Sequence, residues 1–507
     1  MILESFRRNW DDIVFIHMKK ERKIAAILVI LIAILYVTIF SSTSLLYDNW
    51  YPLDSTIYQI IGKGWTEGII PYVDLWDQKG PFLYSINALG YWSFGNKFGI
   101  YVIETIVYSL FFLLSFNFFT KYYSVKASLA LLVVVACHLS QLMAGGNNIE
   151  QYVLPALMLS LMHVWGWAIN ASSRVLAHHS WRWAFFYGVI LSACMLSRLT
   201  NAIGICVAFA VILVYLCYFK RWRDLGLNIL GFGMGFFTFS IPFWVYFYLH
   251  DGLYELLYAT ILFNVDYFND SNLNLDSAYE LISKLLAYVG CYGLLVMSIL
   301  LCFYDKAKWR FHAIWFAISA LTLLYCFNTA MLEHYAIIAV PYFAIMMVEY
   351  KCLYTIFSSH RILLTVLRCT ANLFVLIMLA NGGFQAYQSL SHINMQNELL
   401  GQFERDVLEK KGIDKSQIIG YGLHPSVYLH NQITPVCRFF ALQDSYASHS
   451  ESLKPKVISS YEQTCPKYIL LSLRYSAKDP LISGFIHDNY YLEDSLSCGF
   501  LFVRDYR

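Results

Sequence analysis

Apolar stretches of membrane-spanning length recur along this chain, and they constrain its fold more than any other feature. The first, at about 24–46, follows four lysines and arginines between Lys19 and Lys23, and further basic clusters alternate with the later apolar runs. The stretch is too long for the core of a signal peptide. Basic residues flank membrane helices mainly on the cytoplasmic side. The pattern predicts a multi-pass membrane protein with residues 1–23 in the cytoplasm.

The composition excludes an ordinary soluble enzyme. Of the 507 residues, 58% are hydrophobic and only 14% are charged, whereas about 25% charged residues is usual in soluble domains. The net charge is +2, and the basic residues sit in short clusters instead of one continuous face. We therefore expect no nucleic-acid partner.

About eleven transmembrane helices are predicted in an all-α bundle that occupies residues 24–381. Several are shorter than the roughly 20 residues that a bilayer requires. An odd number places the C-terminal part of the chain outside the cytoplasm. The predicted helices lie at about 24–46, 99–120, 126–143, 150–169, 183–197, 201–219, 226–249, 286–304, 312–327, 335–350 and 361–381.

Hydrophobicity drops after the last of these helices, and residues 382–507 read as a small extracytoplasmic α/β domain. The runs 416–422 and 468–473 have the composition of buried strands, and 400–412 has helical spacing that Gly412 closes. Twelve cysteines are present without any CxxC pair, so no zinc site is indicated. The three in this domain allow at most one disulfide.

The first outer loop, 47–98, is long for a connector. It contains two weakly amphipathic stretches, 54–68 and 81–95, which are rich in tryptophan and tyrosine. We expect both to be helices lying flat at the membrane interface. A second outer loop at 251–284 carries further aspartates, Asp266, Asp270 and Asp276.

An acidic motif, YVDLWDQKGPFLY, connects the two amphipathic stretches of the first outer loop. In an extended chain Asp74 and Asp77 would face opposite sides, and in a tight turn they could converge. Lys79 follows, and Pro81 is well placed to begin a helix. Either Asp77 and Lys79 form a local ion pair that fixes the loop, or Lys79 meets a phosphate.

Asp54 precedes Tyr58 by one helical turn in the first amphipathic stretch. At the membrane interface its carboxylate could act as a general base or bind a cation. The structural alternative is a helix N-cap that accepts the backbone N–H of Ile57. The position of Asp54 alone favours neither the functional role nor the N-cap.

Four further polar residues stand at predicted outer ends of membrane helices. Arg198 lies in SRLTN, Glu150 in GGNNIEQYVLP, and His334 and Tyr335 in LEHYAIIAVP. An arginine among apolar residues needs an anionic partner, either a carboxylate inside the bundle or a lipid phosphate. Each residue alone is typical of a cap or an interfacial anchor. Their position on one side of the membrane favours a site that opens outward, since a channel would distribute them through its depth.

The outer-loop motif and these helix-end motifs resemble those of the GT-C glycosyltransferases. More narrowly, they are similar to the bacterial family 39 type, which groups protein O-mannosyltransferases with aminoarabinose transferases. The resemblance implies a multi-pass protein of the bacterial inner membrane. It also implies inverting transfer of a hexose or pentose from a polyprenyl-phosphate donor to an extracytoplasmic glycan, lipid or protein acceptor. No cofactor is required by this chemistry, and a divalent metal is not indicated.

The resemblance also assigns roles to residues. Many relatives have Asp-Glu where this chain has Asp54 and Ser55, so the role of the second acid would move elsewhere, to Asp74 or Asp77. The implied roles are catalytic carboxylates at Asp54, Asp74 and Asp77, donor or phosphate contacts at Lys79, Arg198, His334 and Tyr335, and pocket residues at Tyr58, Tyr72, Trp76 and Glu150.

Three other kinds of protein are alternatives to a glycosyltransferase. A flippase for lipid-linked glycans would be equally apolar, but the chain lacks paired broken helices and has few charges at mid-membrane depth. A polysaccharide polymerase usually concentrates function in loops between later helices, whereas here the first loop is richer. A non-catalytic scaffold is the third. The transferase hypothesis predicts that Asp54, Asp77 and Arg198 line one outward-facing cavity.

Overall fold

The computed structural model describes residues 20–172, 178–265, 284–327, 333–476 and 478–505. Asp266, Asp270 and Asp276 lie outside these residues. The described chain divides into two compact units. The first comprises the described residues within Met1–Ser44, Tyr101–Ile241 and Leu273–Ser391, and the second those within Leu45–Ile100, Pro242–Asn272 and His392–Arg507.

Helices dominate both units. In chain order they are α1 (Lys20–Phe40), α2 (Leu53–Thr66), α3 (Pro81–Phe94), α4 (Phe98–Phe119), α5 (Val125–Ser140), α6 (Ile149–Ser172), α7 (Trp181–Met195), α8 (Ile203–Tyr218), α9 (Trp222–Leu249), α10 (Leu253–Leu257), α11 (Val289–Tyr304), α12 (Trp309–Phe327), α13 (Val340–Ile356), α14 (Arg361–Ser391), α15 (Glu398–Gln402), α16 (Ser426–His430), α17 (Gln443–His449), α18 (Leu453–Thr464) and α19 (Ser483–Asn489). Short 3₁₀ turns at Leu199–Ala202 and Glu333–Ala339 precede α8 and α13, and π turns at Tyr258–Leu262 and Phe403–Lys410 follow α10 and α15.

Eight helical stretches in the described chain are long and apolar enough to cross a membrane, and they contain α1, α4, α6, α8, α9, α12, α13 and α14. Helices α5 and α11 are apolar but shorter, and α7 has 15 residues. Each of the eleven predicted spans overlaps one of these helices. The predicted class, a helical membrane bundle with a small C-terminal α/β region, is therefore confirmed.

The predicted boundaries of three helices are wrong by five residues or more, and one of these helices, α13, also ends at Ile356 instead of about 350. Helix α1 ends at Phe40 instead of about 46, because Ser42 leaves the helix and donates its N–H to the Gly145 carbonyl. Helix α13 begins at Val340, five residues late, since a proline in its first turn follows a 3₁₀ turn. Helix α14 continues past its predicted end at about 381, where hydrophobicity drops, and ends at Ser391.

Close helix packing in the first unit depends on small residues. Gly188 of α7 faces the backbone of α9, and a Cβ built on it would lie 2.0 Å from the Phe232 carbonyl oxygen. Such a distance is far below van der Waals contact, so only glycine permits this approach. Helix α11 also contacts both α12 and α13, and α5 contacts α14.

Helices α2 and α3 pack against each other in the second unit, and the acidic motif connects them. A Cβ on Gly62 of α2 would lie 2.5 Å from the Cβ of Asn87 in α3, so the two backbones nearly touch. The sequence prediction that both stretches are helices is confirmed. Their orientation in the membrane interface stays a prediction.

A four-stranded sheet in the order β1-β2-β4-β3 belongs to the C-terminal part of the second unit. Its strands are β1 (Ile418–Tyr421), β2 (Tyr468–Leu471), β3 (Tyr490–Leu496) and β4 (Gly499–Arg504). Strands β1 and β2 are parallel, with Ile419 opposite Ile469, and the other pairings are antiparallel. The two strands predicted from sequence are β1 and β2. All twelve cysteines lie in the described chain and have free thiols.

Candidate functional site

Asp54 lies in the first turn of α2 and is not its N-cap. Pro52 occupies the N-cap position and no side chain caps the helix, so the structural alternative of an N-cap at Asp54 does not hold. Instead, the Tyr58 hydroxyl donates to Asp54 Oδ2 over 3.3 Å. The carboxylate is half-buried. A carboxylate in the first turn also interacts favourably with the positive end of the helix dipole.

The segment between α2 and α3 is held by hydrogen bonds within itself and by bonds to more distant parts of the second unit. Tyr72 adopts φ 69°, donates its N–H to the Leu75 carbonyl, and donates its hydroxyl to the Lys79 carbonyl over 2.7 Å. Asp74 is exposed, and its Oδ2 accepts the Ile70 N–H over 2.7 Å. Pro81 stands in the first turn of α3, as predicted.

Asp77 is the buried carboxylate of this turn, at 3% exposure. The Tyr84 hydroxyl donates to its Oδ2 over 2.6 Å, and the Tyr446 hydroxyl donates to its Oδ1 over 2.8 Å. Burial first, and then the Asp77 charge, raise the pKa of Tyr84 well above its usual value, which keeps this donor protonated. Both oxygens of Asp77 are therefore used to anchor the turn. This arrangement favours a positioning role for Asp77 over a catalytic one.

Trp76 fixes the same turn to the C-terminal region of the second unit. Its backbone N–H donates to the Arg438 carbonyl over 2.9 Å, and the residue is 1% exposed. The ring packs edge-on against Tyr446 and Phe263 and tilts against Phe439. Trp76 is thus a buried anchor in this unit, and its role as a pocket residue stays a prediction.

Tyrosines connect Asp54 to Asp77. The ring of Tyr58, whose hydroxyl binds Asp54, lies 6.4 Å from the Tyr84 ring, whose hydroxyl binds Asp77. Tyr72 lies 5.8 Å from Tyr84 as well. Of the predicted site residues, the second unit therefore gathers Asp54, Tyr58, Tyr72 and Asp77 around one aromatic cluster.

The predicted residues of the first unit also meet. Arg198 Nη1 lies 2.9 Å from Glu150 Oε1, and Glu150 is only 1% exposed. The guanidinium carbon lies 3.1 Å from the ring centre of Tyr335, and the His334 ring stands edge-on to the Tyr335 ring at 4.7 Å. Of the two partners expected for Arg198, the structure shows the carboxylate inside the bundle.

Sequence reasoning missed Glu104, which organises the start of α6. This carboxylate is fully buried in α4. It accepts hydrogen bonds from the hydroxyls of Ser41 and Thr43, the Asn147 N–H and the Gln151 side chain. The available signal was a lone acid inside an apolar span, which is costly unless it is paired or hydrogen-bonded.

The chain between α5 and α6 is held in an unusual conformation beside Glu104. Four consecutive residues, 144–147, have positive φ. Gly146, at φ 77°, packs so closely that an added Cβ would lie 2.3 Å from Ser41 Oγ. Because α6 begins two residues later, this turn and Glu104 together set where Glu150 stands.

Two groups of predicted residues therefore exist, one in each unit. That Asp54, Asp77 and Arg198 line one cavity stays a prediction, because these residues belong to different units. Within the described residues, no three histidine, cysteine, aspartate or glutamate side chains gather as a metal site would require.

Comparison with known proteins gives a match at the level of fold. No family model matches the sequence, and no curated protein matches it. The similar solved structures include two of ArnT from Cupriavidus metallidurans. The structure bound to undecaprenyl phosphate has a TM-score of 0.56 and 11% identity, covering 95% of this chain and 98% of that one. The apo structure has a TM-score of 0.54 and 12% identity, covering 94% and 97%. The predicted resemblance is thereby confirmed as a likeness of fold: this chain shares the fold of ArnT over nearly its whole length.

Proposed function

We propose that this protein is a membrane glycosyltransferase that moves a sugar from a polyprenyl-phosphate donor to an acceptor hydroxyl on the extracytoplasmic side. The observation that carries the proposal is the fold shared with ArnT over 95% of this chain, in a structure of ArnT bound to undecaprenyl phosphate. The described helices give the chain the apolar surface that such a donor lipid requires.

Asp54 is the proposed general base. Its carboxylate is half-buried, and the Tyr58 hydroxyl holds one of its oxygens in place. The other three acids of the site are less suited to this role. Asp77 is bound by two tyrosines, Glu150 is paired with Arg198, and Asp74 caps a turn.

The proposed reaction is a single displacement with inversion. The acceptor oxygen bonds to the anomeric carbon on the face opposite the phosphate. The bond between that carbon and the phosphate oxygen breaks, and its electron pair leaves with the polyprenyl phosphate. The acceptor proton moves to the Asp54 carboxylate. Orientation of the two substrates and acceptance of this proton supply most of the catalysis, because the phosphate is already a good leaving group.

Lys79 and Arg198 are the proposed cations for the phosphate of the donor. Glu150 takes one of the five N–H donors of Arg198, and Tyr335 covers one face of the guanidinium. The group is therefore held in a fixed orientation with further donors at its edge. We expect Arg198→Ala to raise the Kd of the donor more than that of the acceptor. Equal effects on both substrates would assign Arg198 to structure alone.

The proposal is tested with purified full-length protein in lipid nanodiscs. A panel of polyprenyl-phosphate hexoses and pentoses is added with membrane extract as the source of acceptor, and mass spectrometry follows each donor. Consumption of one donor with release of polyprenyl phosphate supports the proposal. If every donor stays intact while the protein is folded, the proposed function is wrong.

A further inference from the structure

The second unit contains a cleft that no step of the proposed reaction uses. Its volume is about 910 Å³, at the upper end of the roughly 300–1,000 Å³ usual for ligand sites. The walls are the turn at 69–74, the segments 414–416 and 432–438, and one face of α18.

Helix α18 contributes a continuous polar face to this cleft. The residues that line it recur with spacings of three and four, which places them on one side of a helix. They are Lys456, Ser459, Ser460, Gln463 and Thr464. Glu462, beside Gln463 in the chain, is exposed and does not line the cleft.

The charges at the cleft cancel. Glu255 accepts from both Arg438 Nη2 and Lys456 Nζ. With Glu255 included, the cleft has three cations and three carboxylates. The cations are Lys415, Arg438 and Lys456, and the carboxylates are Asp74, Asp414 and Glu255. A site with no excess charge offers little attraction to an anion such as a phosphate.

Hydrogen-bonding capacity remains in the cleft. The side-chain amides of Gln432 and Gln463, which offer both donors and acceptors, lie on its walls. Beside them stands apolar surface from Ile69 and Val436. Many donors and acceptors without net charge, next to a small apolar strip, match an uncharged polyhydroxylated ligand.

We propose that this cleft binds a neutral oligosaccharide, the glycan part of the acceptor. The assignment to an acceptor rests on the proposed function, whereas saccharide binding itself does not. The α18 face supplies the hydrogen bonds to the sugar hydroxyls, and the apolar strip packs against the C–H faces of the rings.

The test measures binding, not transfer. Full-length protein in nanodiscs is titrated with neutral trisaccharides of glucose, galactose, mannose and N-acetylglucosamine, and with trigalacturonic acid and inorganic phosphate as charged probes. Saturation-transfer NMR and calorimetry report Kd. We expect at least one neutral trisaccharide to bind. Gln463→Ala should weaken its binding about fivefold through loss of hydrogen bonds, and Gln463→Trp should abolish it by filling the cleft.

Glu462→Trp is the matched control, because it adds the same bulk on the same helix outside the cleft. It should leave the Kd within about twofold of wild type, a change too small for the loss of one hydrogen bond. The proposal is overturned if no neutral saccharide binds, if only the charged probes bind, or if Gln463→Trp binds as wild type does. Donor consumption without saccharide binding would refute the saccharide site and leave the proposed function standing. Saccharide binding without consumption of any donor would support the saccharide site and contradict the proposed function.

Discussion

Arg198 and Glu150 form an ion pair 2.9 Å long in which the carboxylate is almost completely shielded from water. The pair joins the first turn of α6 to the turn after α7, and the ring of Tyr335 closes over it at 3.1 Å. Three separate segments of the chain are therefore held by one charge pair. Its strength depends on both partners, because either one alone would be a buried, uncompensated charge.

Glu150→Gln should lower the free energy of unfolding by roughly 3–5 kcal/mol, since it leaves Arg198 unpaired. The double variant Glu150→Gln with Arg198→Met should lose less than the sum of the single variants. Thermal unfolding in detergent measures both. Glu451→Gln is the control, because its pair with Lys454 is exposed, and it should leave Tm nearly unchanged. Strict additivity of the two single variants would show that the pair does not act as a unit.

Asp77 and Asp54 should respond differently to the same substitution. Asp77→Asn weakens two hydrogen bonds to a buried charge, each worth about 1.5–3 kcal/mol, and should lower Tm by several degrees. Tyr446→Phe, which removes one of them, should have a smaller effect. Asp54→Asn should change the free energy of unfolding by less than about 0.5 kcal/mol, because its carboxylate is half-exposed and has one long bond. Equal losses at Asp54 and Asp77 would contradict the positioning role given to Asp77.

Gly146→Ala should destabilise the first unit for two reasons. The residue has φ 77°, and its new Cβ would meet Ser41 at 2.3 Å. Strain of this kind costs about 1–3 kcal/mol, and displacement of Ser41 would add the loss of its bond to Glu104. Gly166→Ala is the control, because this glycine lies within α6 with open space around it. That variant should be neutral or slightly more stable, and equal Tm values for the two variants would refute the role of the turn.

His424 should make the protein less stable in mild acid. Burial lowers the pKa of His424 below its usual value of 6.5. The unfolded chain therefore binds more protons than the folded one as the pH falls below about 6.5, and stability decreases there. The His424 ring accepts the Ser426 N–H, a bond that asparagine can imitate. His424→Asn should keep Tm at pH 7.5 and reduce its fall between pH 7 and pH 5. His487→Asn, at an 89% exposed ring, should leave the pH profile unchanged.

The helices could be predicted from the sequence because long apolar runs admit few alternatives, and β1 and β2 could be predicted because they are short buried runs between polar segments. The start of α3 at Pro81 followed from the geometry of proline. Strands β3 and β4 were not predicted. Strand β3 has mostly exposed residues and a bulge, so it lacks a buried pattern.

The partners of the site residues could not be predicted, since they depend on contacts between distant segments. Tyr446 binds Asp77 across 369 positions, and Arg198 binds Glu150 across 48. No local pattern specifies either pair. Position alone did not decide between an N-cap and a functional role for Asp54, and the structure excludes the N-cap because Pro52, with its fixed φ, takes that position two residues earlier. The role of Glu104 was not predicted for the same reason, since its hydrogen-bond donors lie 43 to 63 positions away in the chain.

The most direct test of the account compares wild type, Asp54→Asn and Asp48→Asn for release of free polyprenyl phosphate from the sugar donor, measured by mass spectrometry. Asp48 is an exposed acid of the same loop and serves as the matched control. The account predicts release by wild type and Asp48→Asn, and a rate at least about 100-fold lower for Asp54→Asn, the usual contribution of a general base. Equal release by wild type and Asp54→Asn, or none from any donor with folded wild-type protein, would contradict it.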